Sequence, residues 1–281
     1  MAMLSLVRIP NVPALLAGIV LLALSLLALA APLLPLADPD AADLLARNVP
    51  PFWVEGGSAA HALGTDGVGR DVLSRLVHGA RTSMAIGVGV TLIAGAIGVL
   101  LGVLGGYFGG WIDNLVVFLI TARLAMPVIL VCLACVALFG ASFTVVVTVL
   151  GALLWDRFAL ATRALVKRLR QADYVTAARL MGASTLRVLG TEILPGVAQQ
   201  LVVIATLEVG LAVVLESALS FLGMGVPPPT ASWGLMISEG RDELMFNPWL
   251  VVLPGVALFL LVMSINVLGD ALQPDSSREL Q

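Results

Sequence analysis

The sequence has 281 residues, of which 59% are hydrophobic and 12% are charged. Soluble domains usually contain about 45 to 50% apolar and about 25% charged residues, so the composition excludes an ordinary water-soluble protein and indicates an integral membrane protein. The formal net charge is −3, which excludes the strongly positive field of a typical nucleic-acid-binding protein. We therefore expect membrane lipid around this chain and no nucleic acid partner.

Six apolar stretches have close to the roughly 20 residues that a helix needs to cross the hydrocarbon layer of a membrane. In chain order they are residues 12–31, 82–104, 112–138, 143–164, 196–222 and 249–268. The sequence therefore predicts an all-α integral membrane protein with six transmembrane helices. Residues 1–81 would form an anchor helix and an extracytoplasmic loop, and residues 82–281 a core of five helices.

The first apolar stretch has two interpretations. Arg8, the apolar run and the small residues Ala28-Leu29-Ala30 are also the parts of a secretory signal peptide with its cleavage site. We favour a retained membrane helix, because the run is long for a signal core and because Pro32 and Pro35 fit a helix that ends at the membrane interface.

The fourth stretch is uncharged only from Phe143 to Trp155, before Asp156 and Arg157. We therefore expect this span to leave the bilayer near Trp155, which would lie in the interfacial aromatic belt, and to continue as a polar helix.

Basic residues are concentrated after the fourth stretch, and their positions set the orientation. Seven of the 15 lysines and arginines lie there: Arg157, Arg163, Lys167, Arg168, Arg170, Arg179 and Arg187. Because short cytoplasmic loops carry an excess of Lys and Arg, this connection is predicted to be cytoplasmic. Counting spans from it places both termini in the cytoplasm and residues 32–81 and 223–248 outside.

The cytoplasmic segment 171–195 is patterned as two short helices. Tyr174, Ala178 and Met181 fall on one helical face, Gly182 can end that helix in a left-handed conformation, and Ser184 can cap a second helix that runs to Ile193. The physical pattern leaves two functions open. The small residues would let this helix fit closely into the cleft of another protein, or its arginines would hold the segment against anionic lipid headgroups.

The same segment resembles the signature loop of ABC importer permeases. Two alanines, Ala177 and Ala178, are followed by Gly182 and then by Ile193-Leu194-Pro195. The resemblance implies a coupling loop over residues 166–195, in which a short helix docks into a cytoplasmic ATPase. Its contact residues would be Tyr174, Ala177, Ala178, Leu180, Met181, Gly182 and Ala183.

Further motifs extend the resemblance over most of residues 64–275. They are Gly64-Thr65-Asp66 with Gly69-Arg70-Asp71, the turn 105–111, the segment 216–225 followed by Pro227-Pro228-Pro229 and Ser232-Trp233-Gly234, and Asn266 with Gly269-Asp270. The chain is similar to the second permease subunit of the dipeptide, oligopeptide and nickel import subfamily. The resemblance implies a type I ABC importer permease in the cytoplasmic membrane of a prokaryote.

That resemblance also implies partners and a substrate. They are a homologous second permease, two ABC ATPase subunits and an extracytoplasmic substrate-binding protein that delivers peptides. Nickel, glutathione and other small solutes stay open as alternative substrates. ATP and Mg²⁺ would bind to the ATPase subunits, because this sequence contains no G-x-x-x-x-G-K-[ST] phosphate loop, and no catalytic residue is expected in it.

Outer-loop candidates follow from these motifs. For Asp66, Arg70 and Asp71 we favour a scaffold role, with Asp66 bonded to the amides of a turn. Pro228 lies in a proline run that we expect to be an extended, stiff edge for a binding protein, and Trp233 follows it.

Ionisable residues inside the apolar stretches are candidates for the pathway, because a charge in lipid costs a few kcal/mol. They are Asp113, Arg123, Glu208 and Glu216. A pair between Arg123 and Glu208 is one hypothesis, and for Glu216 a structural hydrogen bond and a pathway role are equally open. Read as a proton relay, Glu208, Glu216 and Arg123 would suit a proton-driven secondary transporter, although no inverted repeat supports that alternative.

The remaining reactive side chains suggest no metal or redox site. Cys132 and Cys135 lie within an apolar run, where a thiol is a small hydrophobic group. His61 and His78 are isolated on the outer side, and we expect them to be solvated.

Overall fold

The computed structural model describes residues 12–272, and within them the regular secondary structure is helical apart from one isolated bridge between Thr65 and Asp71. The helices are α1 (Val12–Ala30), α2 (Val72–Phe108), α3 (Gly110–Leu124), α4 (Val128–Phe139), α5 (Phe143–Leu153), α6 (Asp156–Arg170), α7 (Asp173–Leu180), α8 (Thr185–Arg187), α9 (Leu194–Phe221), α10 (Trp233–Gly240) and α11 (Trp249–Ala271). A π-helical segment, Val188–Ile193, joins α8 to α9, and short 3-10 turns form at Ala31–Leu33, Leu44–Ala46 and Arg241–Glu243. The sequence interpretations that involve Arg8 and the two chain ends lie outside the described residues.

Among the described residues, five helical runs are long and apolar enough to cross a membrane, namely Val12–Leu33, Val72–Phe108, Phe143–Arg170, Thr185–Phe221 and Trp249–Ala271. A sixth crossing is available from α3 and α4, which are bent by 83° at the break between them. The predicted third span, 112–138, is therefore wrong as a single straight helix. Pro127 explains the break, because proline lacks the amide donor and disfavours a helical conformation at the residue before it.

The helix ends meet as a six-span topology requires. At the end predicted to be cytoplasmic, Tyr107 of α2 packs with Val166 of α6, Val175 of α7 and Val197 of α9. At the opposite end, Ala28, Val72, Trp233 and Leu250 pack together. The ends that span counting assigns to the same side of the membrane are thus in contact.

Trp155 corrects the prediction for the fourth span. Its side chain is buried with Val116, Ile120 and Ala159 instead of lying in an interfacial belt. The helical run continues to Arg170, so α5 and α6 together have the length of one crossing. The prediction ended the span where the uncharged run stops, whereas Asp156 and Arg157 each have an ion-pair partner on another span.

The second helix is longer than predicted and forms the centre of the bundle. It begins at Val72, where the side chain of Asp71 accepts a hydrogen bond from the Ser74 amide at 2.8 Å and caps the helix. Three glycines of α2, Gly98, Gly102 and Gly106, face the backbone of α6 so closely that an added Cβ would overlap it. This spacing of four residues is typical of membrane helices that pack in close contact.

Candidate functional site

The proposed ATPase-contacting helix ends as its sequence predicts. Gly182 has φ +82°, its amide donates to the Arg179 carbonyl at 2.9 Å, and the Ala183 amide donates to the Ala178 carbonyl at 3.0 Å. These two bonds form a Schellman motif, in which a left-handed residue satisfies the last carbonyls of a helix. The predicted left-handed role of Gly182 is confirmed.

One side of α7 is fixed to the bundle. Val175 is fully buried against Val166, Val188 and Val197, and the guanidinium of Arg179 lies 5.0 Å from the centroid of the Tyr107 ring. The helix is therefore attached to the ends of α2, α6 and α9 together.

The opposite side of α7 is open and apolar. Leu180 and Met181 are 84% and 83% exposed, and Tyr174 is also exposed. Ala177 and Gly182 are exposed, whereas Ala178 and Ala183 are half-buried. We call Tyr174, Ala177, Ala178 and Leu180 to Ala183 the coupling surface. All seven residues predicted for ATPase contact lie together there, and the contact itself stays a prediction.

The second helix of the loop differs from its prediction. Ser184 does cap it, with its hydroxyl accepting from the Arg187 amide at 3.4 Å. However, α8 is a single turn and the chain continues as a π-helical segment to Ile193. Pro195 occupies the first turn of α9, as predicted.

Four charged side chains from three spans form two ion pairs within the bundle. Nε of Arg123 lies 3.3 Å from a carboxylate oxygen of Asp156 and also donates to the Leu153 carbonyl. Nη1 of Arg157 lies 3.4 Å from Oε2 of Glu208. The hypothesised pair between Arg123 and Glu208 is therefore not formed, because the start of α6 supplies a partner to each.

Asp113 is paired near the predicted cytoplasmic end of α3. Its two carboxylate oxygens accept from Arg163 Nε and Lys167 Nζ, each at 2.5 Å. Since Arg163 and Lys167 are one turn apart on α6, the three residues join α3 to α6.

Glu216 is completely buried near the outer end of α9. Its Oε1 accepts from the hydroxyls of Ser220 at 2.8 Å and Ser232 at 3.2 Å, while its Oε2 has no hydrogen-bond partner within residues 12–272. The two serines precede and follow the loop between α9 and α10, so Glu216 is placed to hold this loop closed. These hydrogen bonds fit the structural role for Glu216 and not the pathway role.

An ion-pair network joins the outer loop to α10. Arg70 bonds Asp66 at 2.6 Å and Glu239 at 2.9 Å, and Arg75 bonds the same oxygen of Glu239 at 2.7 Å. Burial lowers the pKa of Arg70, but its hydrogen bond to Glu239 and the charges of Glu239 and Asp66 outweigh burial and raise it. We call Asp66, Arg70, Arg75 and Glu239 the outer network.

The remaining outer candidates have mixed outcomes. Oδ1 of Asp66 accepts from the Val68 and Arg70 amides, the turn geometry expected of a scaffold residue. Trp233 is buried, and its indole donates to the Leu76 carbonyl at 2.9 Å. It therefore anchors α10 to α2 and offers no accessible outer surface. Pro228 is exposed, but it lies in a turn and not in the extended edge that we expected.

The two histidines are not solvated as predicted. Nδ1 of His61 lies 3.0 Å from Oδ2 of Asp71, and Nδ1 of His78 lies 2.9 Å from the Ser74 carbonyl. Both side chains are partly buried. Within residues 12–272, no group of three or more His, Cys, Asp or Glu side chains is placed to hold a metal ion.

Four residues of these networks are not among the site residues that the sequence predicts: Asp156, Arg157, Arg75 and Glu239. A signal existed for the first two, because they interrupt an apolar stretch at its middle. Arg75 and Glu239 are 164 positions apart, and the sequence gives no indication that they meet.

Comparison with known proteins agrees with this architecture. The family model described as binding-protein-dependent transport system inner membrane component matches residues 98–278. A di/tripeptide transport system permease of Pseudomonas aeruginosa is 41% identical over 224 residues, which is 80% of this chain and 74% of that protein.

Two further relatives cover similar or larger shares of this chain. A dipeptide transport system permease of Haemophilus influenzae is 35% identical over 94% of this chain and 89% of its own length. A glutathione transport system permease of Pectobacterium atrosepticum is 36% identical over 78% of this chain and 73% of its own length. The apolar helices place the chain in the membrane, and it belongs to the family of binding-protein-dependent transport system inner membrane components.

Proposed function

We propose that this chain imports peptides as one of two homologous permeases, with two ABC ATPase subunits on the cytoplasmic side and a binding protein on the outer side. The observation that carries the proposal is the coupling surface. It presents exposed Leu180 and Met181 beside a glycine turn, on a helix fixed to three spans. An exposed apolar surface rimmed by polar residues is typical of an interaction site.

The attachment of α7 supplies a mechanism for coupling. When ATP closes the ATPase pair, a displacement of α7 would be passed through Val175 and Arg179 to the ends of α2, α6 and α9. Rigid rotation of these spans would exchange an inward-open state for an outward-open state. In this scheme ATP and Mg²⁺ bind to the partner ATPase subunits, and this chain changes conformation without carrying out catalysis.

Peptides are the proposed substrate because the relatives from P. aeruginosa and H. influenzae are named for dipeptide or tripeptide transport. Glutathione, itself a small peptide with free carboxylates, is the second candidate because of the relative from P. atrosepticum. Purification of the tagged complex, with mass spectrometry of its stoichiometric partners and of the ligand carried by any binding protein, separates the two.

Gly182→Asp tests the coupling surface, and Gly190→Asp is its matched control. Both glycines have open space where a Cβ would be added, but only Gly182 has a positive φ. Gly182→Asp adds a charge to the docking surface and strains the turn by about 1 kcal/mol. Gly190→Asp adds the same charge to the same loop without that strain.

We expect Gly182→Asp to abolish ATP-driven peptide uptake in reconstituted vesicles while membrane insertion stays normal, and Gly190→Asp to retain uptake. Vanadate should inhibit wild-type uptake and a protonophore should not. Full uptake by Gly182→Asp, or equal losses in the two variants, would contradict the proposed coupling role. Inhibition by the protonophore alone would favour the proton-driven alternative.

A further inference from the structure

Two spans are broken near their midpoints, and a third carries a charged residue near its midpoint. The break between α3 and α4 and the break between α5 and α6 each lie near the midpoint of their helical run. Glu208 is likewise close to the middle of α9. Arg123, Asp156 and Arg157 flank the two breaks, so all four charges lie far from either end of their spans. Discontinuous helices at the bilayer middle are a recurrent way to build transport sites.

Three of these four side chains are enclosed by the bundle. Arg123 is paired with Asp156 and bonded to the last carbonyl of α5, which lacks a partner within its own helix. Glu208 is 1% exposed and holds Arg157 through one oxygen. The Arg123–Asp156 pair therefore fixes the start of α6, and α6 in turn positions Arg157.

Arg157 is the exception, because its side chain is 56% exposed. Among the hydrogen bonds between described residues, its guanidinium makes one, a long contact of 3.4 Å to Glu208. A guanidinium has five N–H donors, so most of its donors are free to bond water or a ligand. In lipid such an exposed charge would cost a few kcal/mol, whereas in a water-filled pathway it would be hydrated.

Two features of Arg157 itself suit a carboxylate ligand. It lies in the first turn of α6, where the helix dipole adds partial positive charge, and an arginine binds a carboxylate through two parallel hydrogen bonds. Glu208 would hold the guanidinium until a second carboxylate replaced it. Such an exchange keeps the binding weak enough for release, as transport requires.

We propose that Arg157 contacts the carboxylate of the transported solute at the middle of the pathway and selects for it. This inference rests on the proposed function, because it assigns a selectivity residue to the same transport path. Arg157 is the contact residue, and Arg123, Asp156 and Glu208 are positioning residues.

The test compares uptake of dialanine and of its C-terminal amide by the reconstituted complex with its binding protein. The readout is the uptake rate of dialanine divided by that of its amide. This ratio is then divided by the wild-type ratio, so that the selectivity of the binding protein cancels. We expect Arg157→Gln to lower this ratio by about tenfold, the loss of one charge-assisted hydrogen bond pair. Arg157→Lys should restore part of it. Arg168→Gln removes an exposed cation from the same helix and should leave the ratio unchanged.

Glu208→Gln distinguishes a contact residue from a structural pair. Removing the competing carboxylate frees Arg157. The uptake ratio of Glu208→Gln should therefore rise or stay unchanged, whereas the uptake ratio of Arg157→Gln should fall. If the pair were only structural, both variants would lower uptake of the two probes together. Equal losses for dialanine and its amide would therefore overturn the proposal.

Accessibility tests the location of Arg157 independently of the substrate. In a variant with Cys132→Ala and Cys135→Ala, Arg157→Cys should react with a charged, water-soluble thiosulfonate in the assembled complex, and dialanine should slow the reaction. Absence of labelling would place the residue against lipid or the second permease and overturn the inference. Labelling without any dialanine uptake by the wild type would instead refute the peptide substrate while leaving the water-facing position intact.

Discussion

Replacement of Gly102 by alanine should destabilise the bundle because α2 and α6 touch through their backbones at this point. A Cβ at Gly102 would lie 2.6 Å from Cβ of Thr162, 2.8 Å from the Ala159 carbonyl oxygen and 3.0 Å from the Arg163 amide nitrogen. Two of these three atoms belong to the backbone, so the two helices must separate. Overpacking of this kind costs about 1–3 kcal/mol.

Gly255→Ala is the matched control for this substitution. Gly255 also lies inside a membrane helix, α11, and nothing is within 4 Å of an added Cβ. Both substitutions gain the same helix propensity, about 0.5–1 kcal/mol, so the difference between the two variants is the overpacking cost of about 1–3 kcal/mol. The Gly255→Ala variant itself should be neutral or slightly stabilised.

The assay is the midpoint temperature at which the purified complex is lost from its size-exclusion peak after heating. At roughly 2–4 °C for each kcal/mol, Gly102→Ala should melt several degrees below Gly255→Ala. Equal midpoints would refute the conclusion that α2 and α6 are held at their closest approach by glycine.

Two further predictions concern ion pairs. Glu239→Gln should lower stability by about 2 kcal/mol, less than the ~3–5 kcal/mol of a fully buried pair, because Arg75 is 1% exposed but Glu239 is 27% exposed. Asp242→Asn, at an exposed neighbouring position, is the control and should change the same melting temperature by no more than a degree or two. Equal shifts in the two variants would contradict a stabilising role for the outer network. Arg123→Asp and Asp156→Arg should each reduce the amount of assembled complex, and the double variant should restore that amount. If the double variant does not restore it, the contact with the Leu153 carbonyl, and not the ion pair, holds α6.

The sequence was sufficient for features that depend on neighbouring residues. Apolar runs gave the spans, and Gly182 and Ser184 gave the turn and the cap of the coupling loop, because backbone conformation and capping are decided within a few positions. The signature residues of that loop also indicated the correct family.

Features that depend on tertiary approach were missed or misplaced. The sequence predicts Trp155 at the interface because the uncharged run ends at Asp156 and Arg157, but both charges find ion-pair partners, on α3 and α9. The hypothesised pair of Arg123 with Glu208 was wrong for the same reason. Composition shows that an intramembrane charge needs a partner, but only the packing of the helices decides which one it finds.

The geometry of α6 links the coupling surface to the middle of the membrane. This helix runs unbroken for 15 residues, about 22 Å at 1.5 Å per residue. The end of α6 that is predicted to be cytoplasmic contacts α7 through Val166 and Val175, and its other end carries Arg157. Because Gly102 and its neighbours bring the backbones of α2 and α6 into close contact, a displacement at α7 would move the two helices together. If ATPase subunits contact α7 as we propose, their movement would be transmitted along α6 to Arg157, where we propose that the solute carboxylate is bound.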